Sequence, residues 1–370
     1  MLSKRFELPE YPLTEDLWDK IAKEKRPIAV YGMGNGADKL FERLEKYGVT
    51  VSAVFASDGF VRGHSFRGYL VKSYSSVIEE YGDPIIIVSF ASSRQEVIST
   101  VASIDTEHET YIPDMPIAGE EYFDKDFYNA HYYEIKKAYD SLADDESRSL
   151  YAAMVRYKLF GKMEYLLSGY CATDDIYRSL PKKIECAVDA GAYNGDTVRE
   201  LISYRSGVER IYAIEPDKRN FKKLSKFVTE AGLEGMVRPV NAAVWNENAD
   251  GEFTGSGNRN SSVSSTASYE SRKESIPLVK IDSLTDSAVD YIKYDVEGAE
   301  YEALEGSARI ISQYRPALLV SVYHRSRDIF LLVNYLTDRY PFYKLRMMRT
   351  LCFPAWEINL IATIEKSVTV

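Results

Sequence analysis

The stretch Ile184-Glu-Cys-Ala-Val-Asp189-Ala-Gly191-Ala-Tyr193-Asn194-Gly195-Asp196-Thr197 decides the fold. A short apolar run ends in an acid at Asp189, turns on Gly191 and Gly195, and enters Val198 to Tyr204, which reads as helix. Glycine lets backbone approach a ligand closely, and a helix start offers free N–H groups and a positive dipole end. Taken alone, such a turn also serves simply to join a strand to a helix.

The residues downstream repeat the pattern. Arg210 to Ile214 is a second apolar strand, and Glu215 follows it about two dozen residues after the first turn, where a doubly wound sheet sets a ribose-binding carboxylate. Val237 to Val240 leads into Asn241-Ala242-Ala-Val, a third strand end. The run Val289 to Tyr294 is a fourth, followed by Asp295-Val-Glu297-Gly298-Ala-Glu300. Ligands of open α/β sheets sit beyond the carboxyl ends of the strands, so Asp189, Glu215, Asn241 and Asp295 are predicted to line one crevice.

These blocks resemble the FkbM-type class I S-adenosylmethionine-dependent methyltransferases. The matching pieces are Asp189-x-Gly191-Ala-x-x-Gly195-Asp-Thr197, Glu215-Pro-Asp, Asn241-Ala242-Ala-Val, and Ile292-Lys-Tyr-Asp295-Val-Glu297-Gly298-Ala-Glu300 followed by Leu304-x-Gly306. They cover about the last half of the chain, and the Lys-x-Asp-x-Glu-Gly-Ala-Glu block is the most specific. The resemblance implies a methyltransferase fold with S-adenosyl-L-methionine as cofactor. It implies that the turn with Asp189, Gly191, Tyr193, Asn194, Gly195 and Thr197 holds the methionine end, that Glu215 takes the ribose hydroxyls, and that the Asn241-Ala242 turn meets the adenine edge. Asp295 is placed beside the cofactor amine or the acceptor.

Bulk properties bound the rest. The 370 residues, 45% of them hydrophobic, suffice for two domains with their own cores. A net charge of −10 argues against a nucleic-acid groove, which needs clustered Lys and Arg. The N-terminus lacks an apolar signal segment and no run approaches a membrane span, so a cytoplasmic protein is expected. Cys171, Cys186 and Cys352 are scattered and form no zinc pattern.

Upstream, Thr14 to Lys25 is predicted as a helix capped by Thr14. Pro27-Ile-Ala-Val-Tyr31-Gly32-Met-Gly34-Asn-Gly36-Ala37 opens a second strand-turn-helix unit, with a helix over 38–47 and a strand over 49–55. The layout resembles the small N-terminal domains attached to sugar-modifying transferases. Its fingerprint is incomplete because the acid after the second strand, Asp58, falls a few residues late. Packing or docking is preferred there to a bound nucleotide or nucleotide-sugar. The predicted architecture is α/β: a Rossmann-like N-terminal domain over 1–118, a helical connector over 119–180 and a methyltransferase domain over 181–370. The connector is either a spacer or a lid carrying Tyr157, Tyr165, Tyr170 and Tyr177.

The Gly/Ser/Asn-rich run over 250–268 reads as either a mobile surface loop or one that covers substrate; the resemblance implies the second, with Ser262 on the acceptor side, after which 276–281 is predicted to return to the sheet. Pro316 to Arg325 is a fifth strand whose polar end carries Tyr323 and His324, where many family members have an acid-x-His pairing. The segments 343–351 and 356–363 form a last antiparallel pair.

Methyl transfer is an in-line displacement that needs alignment and removal of a proton from the acceptor. His324 is the first candidate base because its ordinary pKa lies near neutrality, and Asp295 the second. Glu297 and Tyr323 are placed on the substrate side. Asp295, Glu297 and Glu300 need not point together, so no metal is expected. The expected activity is O-methylation of a small, sugar-related hydroxyl compound. The competing expectation is a nucleotide-sugar- or dinucleotide-binding scaffold whose methyltransferase-like domain does not turn over.

Overall fold

Strands such as Ile85–Val88 and Ala317–Ser321 are buried at every position, as a parallel sheet covered by helices on both faces requires. A computed structural model describes residues 5–254 and 273–364 of the protein and contains two such sheets.

The first is built from β1 (Ile28–Tyr31), β2 (Ala53–Ala56), β3 (Lys72–Ser73), β4 (Ile85–Val88) and β5 (Thr110–Tyr111), all parallel, in the order β3-β2-β1-β4-β5. Ahead of it, α1 (Leu17–Lys23) starts later than the sequence suggested. Asp16 rather than Thr14 caps it, accepting from the N–H groups of Trp18 and Asp19 in a capping box. After β1 the chain turns through Gly32 and Gly34, both at positive φ, into α2 (Asn35–Lys46).

The helices that follow are structural. α3 (Tyr132–Ser141) and α4 (Asp145–Phe160) lie between the two sheets in sequence, and α4 buries Tyr151, Met154 and Tyr157 completely. Tyr157 and Tyr165 are core residues, Tyr170 is exposed, and of the four tyrosines considered for a lid Tyr177 alone faces a cavity. Lys158 of α4 makes a buried ion pair of 2.8 Å with Asp114.

The second sheet contains β6 (Cys186–Ala190), β7 (Arg210–Ile214), β8 (Val237–Val240), β9 (Tyr291–Tyr294), β10 (Ala317–Ser321), β11 (Lys344–Arg349) and β12 (Ile358–Thr363). Its order is β8-β7-β6-β9-β10-β12-β11, with β12 antiparallel to both neighbours, which is the class I methyltransferase arrangement. Helices α5 (Asp196–Tyr204), α6 (Lys218–Glu230), α7 (Glu300–Glu305) and α8 (Asp328–Arg339) connect its strands. The segment predicted to return to this sheet does not do so. Lys273–Val279 pairs instead with Ala243–Val244 and Ala249–Thr254 in a separate three-stranded sheet. Its partner strand is separated from Lys273 by the 18 residues 255–272, so the antiparallel pairing closes a shorter stretch of chain than a place in the main sheet would. Residues 255–268 of the predicted covering loop, Ser262 among them, lie outside the described residues.

The two halves are joined by main-chain bonds. Ser92 and Phe353 exchange N–H···O bonds of 2.8 and 3.0 Å, Ala143 N–H donates to Leu345 O at 2.8 Å, and Ala118 N–H donates to His324 O at 2.9 Å. Lys158→Met would leave the Asp114 carboxylate buried without its cation. We expect urea unfolding to show a loss of about 3–5 kcal/mol for that variant and a smaller loss when Asp114→Leu accompanies it.

Candidate active site

The turns after the strands of the second sheet meet along its carboxyl edge. Gly191, at φ +91°, lies so close to the turn after β9 that a Cβ there would stand 1.9 Å from the carbonyl oxygen of Asp295. Only glycine satisfies both the backbone angle and the approach. Glu215, 6% exposed, is fixed from two sides, because Tyr193 N–H donates to one carboxylate oxygen at 2.8 Å and Asp217 N–H to the other at 2.9 Å. Burial nevertheless pushes its pKa up to about 8. Asn241 donates its amide to the carbonyls of Glu215 and Pro216 at 2.8 and 3.1 Å and so braces the same turn.

The turn after β9 gathers the charges. Lys293, fully enclosed, has Nζ 3.1 Å from Asp295 Oδ2 and 3.7 Å from Asp189 Oδ1. Burial opposes its charge, but the two carboxylates outweigh that and hold it protonated. Burial raises the Asp295 carboxyl, yet Lys293 and then His324 bring it down to about 2. His324 is 1% exposed, with Nδ1 2.9 Å from Glu300 Oε1 and Nε2 3.5 Å from Asp295 Oδ1 and 3.6 Å from Glu297 Oε2. Burial pulls its pKa down, the surrounding carboxylates, Glu300 first, push it up, and the balance lies at about 10. Glu300 also accepts the N–H groups of Val296 and Gly298 at 2.9 and 3.0 Å, locking the turn onto the imidazole. Glu297 sits in that turn at φ +55°, its side chain 27% exposed and its pKa raised by burial to about 7.

Tyr193, Glu215, Lys293, Asp295, Glu297 and His324 face a cavity of about 300 Å³, at the lower end of the range of small-molecule sites. Among the described residues, no group of three or more His, Cys, Asp or Glu side chains is disposed to hold a metal ion.

Residues 189–343 match the family model of the methyltransferase FkbM domain. Over that stretch, under half of the chain, the sequence is similar to the FkbM methyltransferases. Over both sheets the fold is similar to that of the FkbM methyltransferase from Methylobacillus flagellatus KT, with a TM-score of 0.68 and 20% identity across 97% of this chain and 94% of that one. A SAM dependent methyltransferase from Aquifex aeolicus is similar over 52% of this chain and 88% of that chain, at 13% identity and a TM-score of 0.32. An O-methyltransferase from Bacillus cereus in complex with SAH is similar over 49% and 74%, at 11% and 0.33. No curated protein sequence matches the chain.

The structure sorts the residues singled out in the sequence of the second half of the chain. Gly191, Tyr193, Thr197, Glu215, Ala242, Asp295, Glu297, Tyr323 and His324 are on the cavity wall. Asp189 stands behind it, 4% exposed, accepting from the Thr197 hydroxyl and facing Lys293. Gly195 also stands behind, where a Cβ would strike Phe227 at 2.5 Å, and Asn194 and Asn241 flank the wall without forming it. Sequence reading gave no role to Lys293, Glu200, Trp356 and Asn359, weighed Glu300 only as a metal ligand and placed Tyr177 only in the connector. Lys293 and Glu300 lie inside the most specific block and could have been found from their charge beside an apolar strand. Tyr177, whose hydroxyl donates to Glu200 at 3.2 Å, reaches the wall only through tertiary packing.

The Glu300 contact predicts a titration. His324 is held protonated in the folded chain above its ordinary value, so its stabilising contribution is complete below about pH 6.5 and fades as pH rises through about 10. In Glu300→Gln the imidazole should titrate at clearly lower pH in NMR, with the stability curve flattening over that interval. An unchanged titration would remove Glu300 as the dominant partner.

Proposed function

We propose that the chain is an S-adenosylmethionine-dependent O-methyltransferase acting on a hydroxyl of a small, sugar-related acceptor. The cavity residues suit that cofactor. The Gly191 cradle leaves backbone bare for a close ligand, and the doubly anchored, buried Glu215 keeps lone pairs for a pair of ribose hydroxyls. Burial raises its pKa against those two donors, and hydroxyl donors would further favour its ionised form. When bound, S-adenosylmethionine supplies a methyl carbon activated by its sulfonium.

The observation that carries the reading is the placement of Glu297. It shares the cavity with Asp295, but Asp295 is already neutralised by Lys293 and its low pKa makes it a weak proton acceptor. His324, the first candidate from sequence, is held as an imidazolium by three carboxylates and has no vacant nitrogen lone pair at neutral pH. Glu297 remains, with a pKa near the operating range. In our reading the acceptor oxygen takes the methyl, its proton passes to Glu297, and His324 holds the carboxylates apart and aligned. Tyr323 and Trp356 give the wall flat apolar faces of the kind that stack on sugar rings.

The test is transfer of labelled methyl from S-adenosylmethionine to a panel of monosaccharides and sugar phosphates. Turnover should rise with pH through about 7 as Glu297 loses its proton. Glu297→Gln should lower kcat by roughly 10²–10⁴ with cofactor affinity, measured by calorimetry, within about twofold. A variant with full turnover would return the base to another residue.

A further inference from the structure

A second cavity, of about 170 Å³, lies at the carboxyl edge of the first sheet, between the ends of β1 and β4. That is where the strand order of a doubly wound sheet reverses and where such sheets take ligands. It does not belong to the first sheet alone. Pro354 and Trp356, from the hairpin between β11 and β12, close it from the other half of the chain, and Trp356 and Ile117 wall both cavities. The two spaces therefore adjoin across one indole ring and one isoleucine.

Most of the lining is apolar, with Met33, Phe90 and Met115 among it, so its polar atoms stand out. The indole Nε1 of Trp356 is buried and has no hydrogen-bond partner among the described residues. A buried donor without an acceptor is uncommon and costly, and it points to an oxygen supplied from outside the chain. Lys39 of α2 brings its ammonium to the same cavity, where it donates to Pro116 O at 2.8 Å. Among the described residues no carboxylate lies within ion-pair distance of it, although burial opposes its charge. A half-buried ammonium at an apolar cavity, with Glu42 acting on it only at longer range, suits an anion there. Gly34, at φ +107° with open space on its Cβ side, and the first N–H groups of α2 lie beside it.

We propose that this cavity binds a phosphate ester carrying a flat or apolar group, and that this is the far portion of the methyl acceptor, whose hydroxyl portion occupies the adjoining cavity. The proposal rests on the methyltransferase reading for its second half only. It names the acceptor class as a phosphorylated, two-part molecule with its anion against Lys39 and an oxygen on the indole N–H of Trp356.

Phenyl phosphate is the probe, titrated by calorimetry into the full chain with and without saturating S-adenosylhomocysteine. Saturable binding that is unaffected by S-adenosylhomocysteine is expected. Lys39→Met should weaken it at least tenfold and Lys39→Arg restore most of it, with S-adenosylhomocysteine affinity within twofold in both. Trp356→Phe, which keeps the ring and removes the N–H, should weaken phenyl phosphate severalfold. No binding, equal affinity in Lys39→Met, or competition with S-adenosylhomocysteine would each overturn the proposal, and benzoate binding as tightly as phenyl phosphate would overturn the phosphate assignment. Failure of S-adenosylhomocysteine alone to bind would instead sink the methyltransferase reading and leave the phosphate site standing.

Discussion

Lys293 is the constraint on which the catalytic edge depends. Its ammonium stands between the carboxylates of Asp189 in β6 and Asp295 after β9, and Asp189, its side chain 5% exposed, could not be kept ionised there without it. Once those acids are fixed, the two turns come together so tightly that position 191 must be glycine. The turn after β9 can then carry Glu297 at a left-handed backbone angle, held by Glu300 and His324. One buried cation thus sets the spacing of four acids and an imidazole.

The parts of this arrangement that could be read from sequence were those expressed over short separations. Apolar runs closed by Asp189, Glu215 and Asp295 located the strand ends, because period and polarity change within a few residues. Roles were less legible than positions. The sequence offered His324 as a base through its ordinary pKa, and nothing local to His324 reveals that acids on the turn after β9 and on α7 surround it. Asp189 looked like a wall residue because it ends a strand, yet its side chain faces inward to Lys293. The start of α1 moved because two residues, Thr14 and Asp16, could cap it, and Asp16, with a capping-box partner at Asp19, is the better acceptor. Trp356 had no signal at all, since its place depends on a hairpin that crosses from one half of the molecule to the other.

That crossing gives the two cavities a common wall. A ligand oxygen on the indole would fix a ring that also bounds the space beside Asp295 and Glu297, so on the proposed reading the anionic end of an acceptor helps to place its hydroxyl end and leaves cofactor affinity unchanged. Discrimination between acceptors would then lie partly in the first half of the chain, at a distance from the atoms that react.

The bonds from Ser92 to Phe353 and from Ala143 to Leu345 also have a bearing on synthesis. Their partners are separated by more than half of the chain. A ribosome delivers residues in order, and the early sheet must wait with one flank uncovered until the final hairpin has left the exit tunnel. Long loop closures of this sort slow the last stage of folding, and the apolar surface near Phe90 is covered by Phe353 only once that hairpin docks.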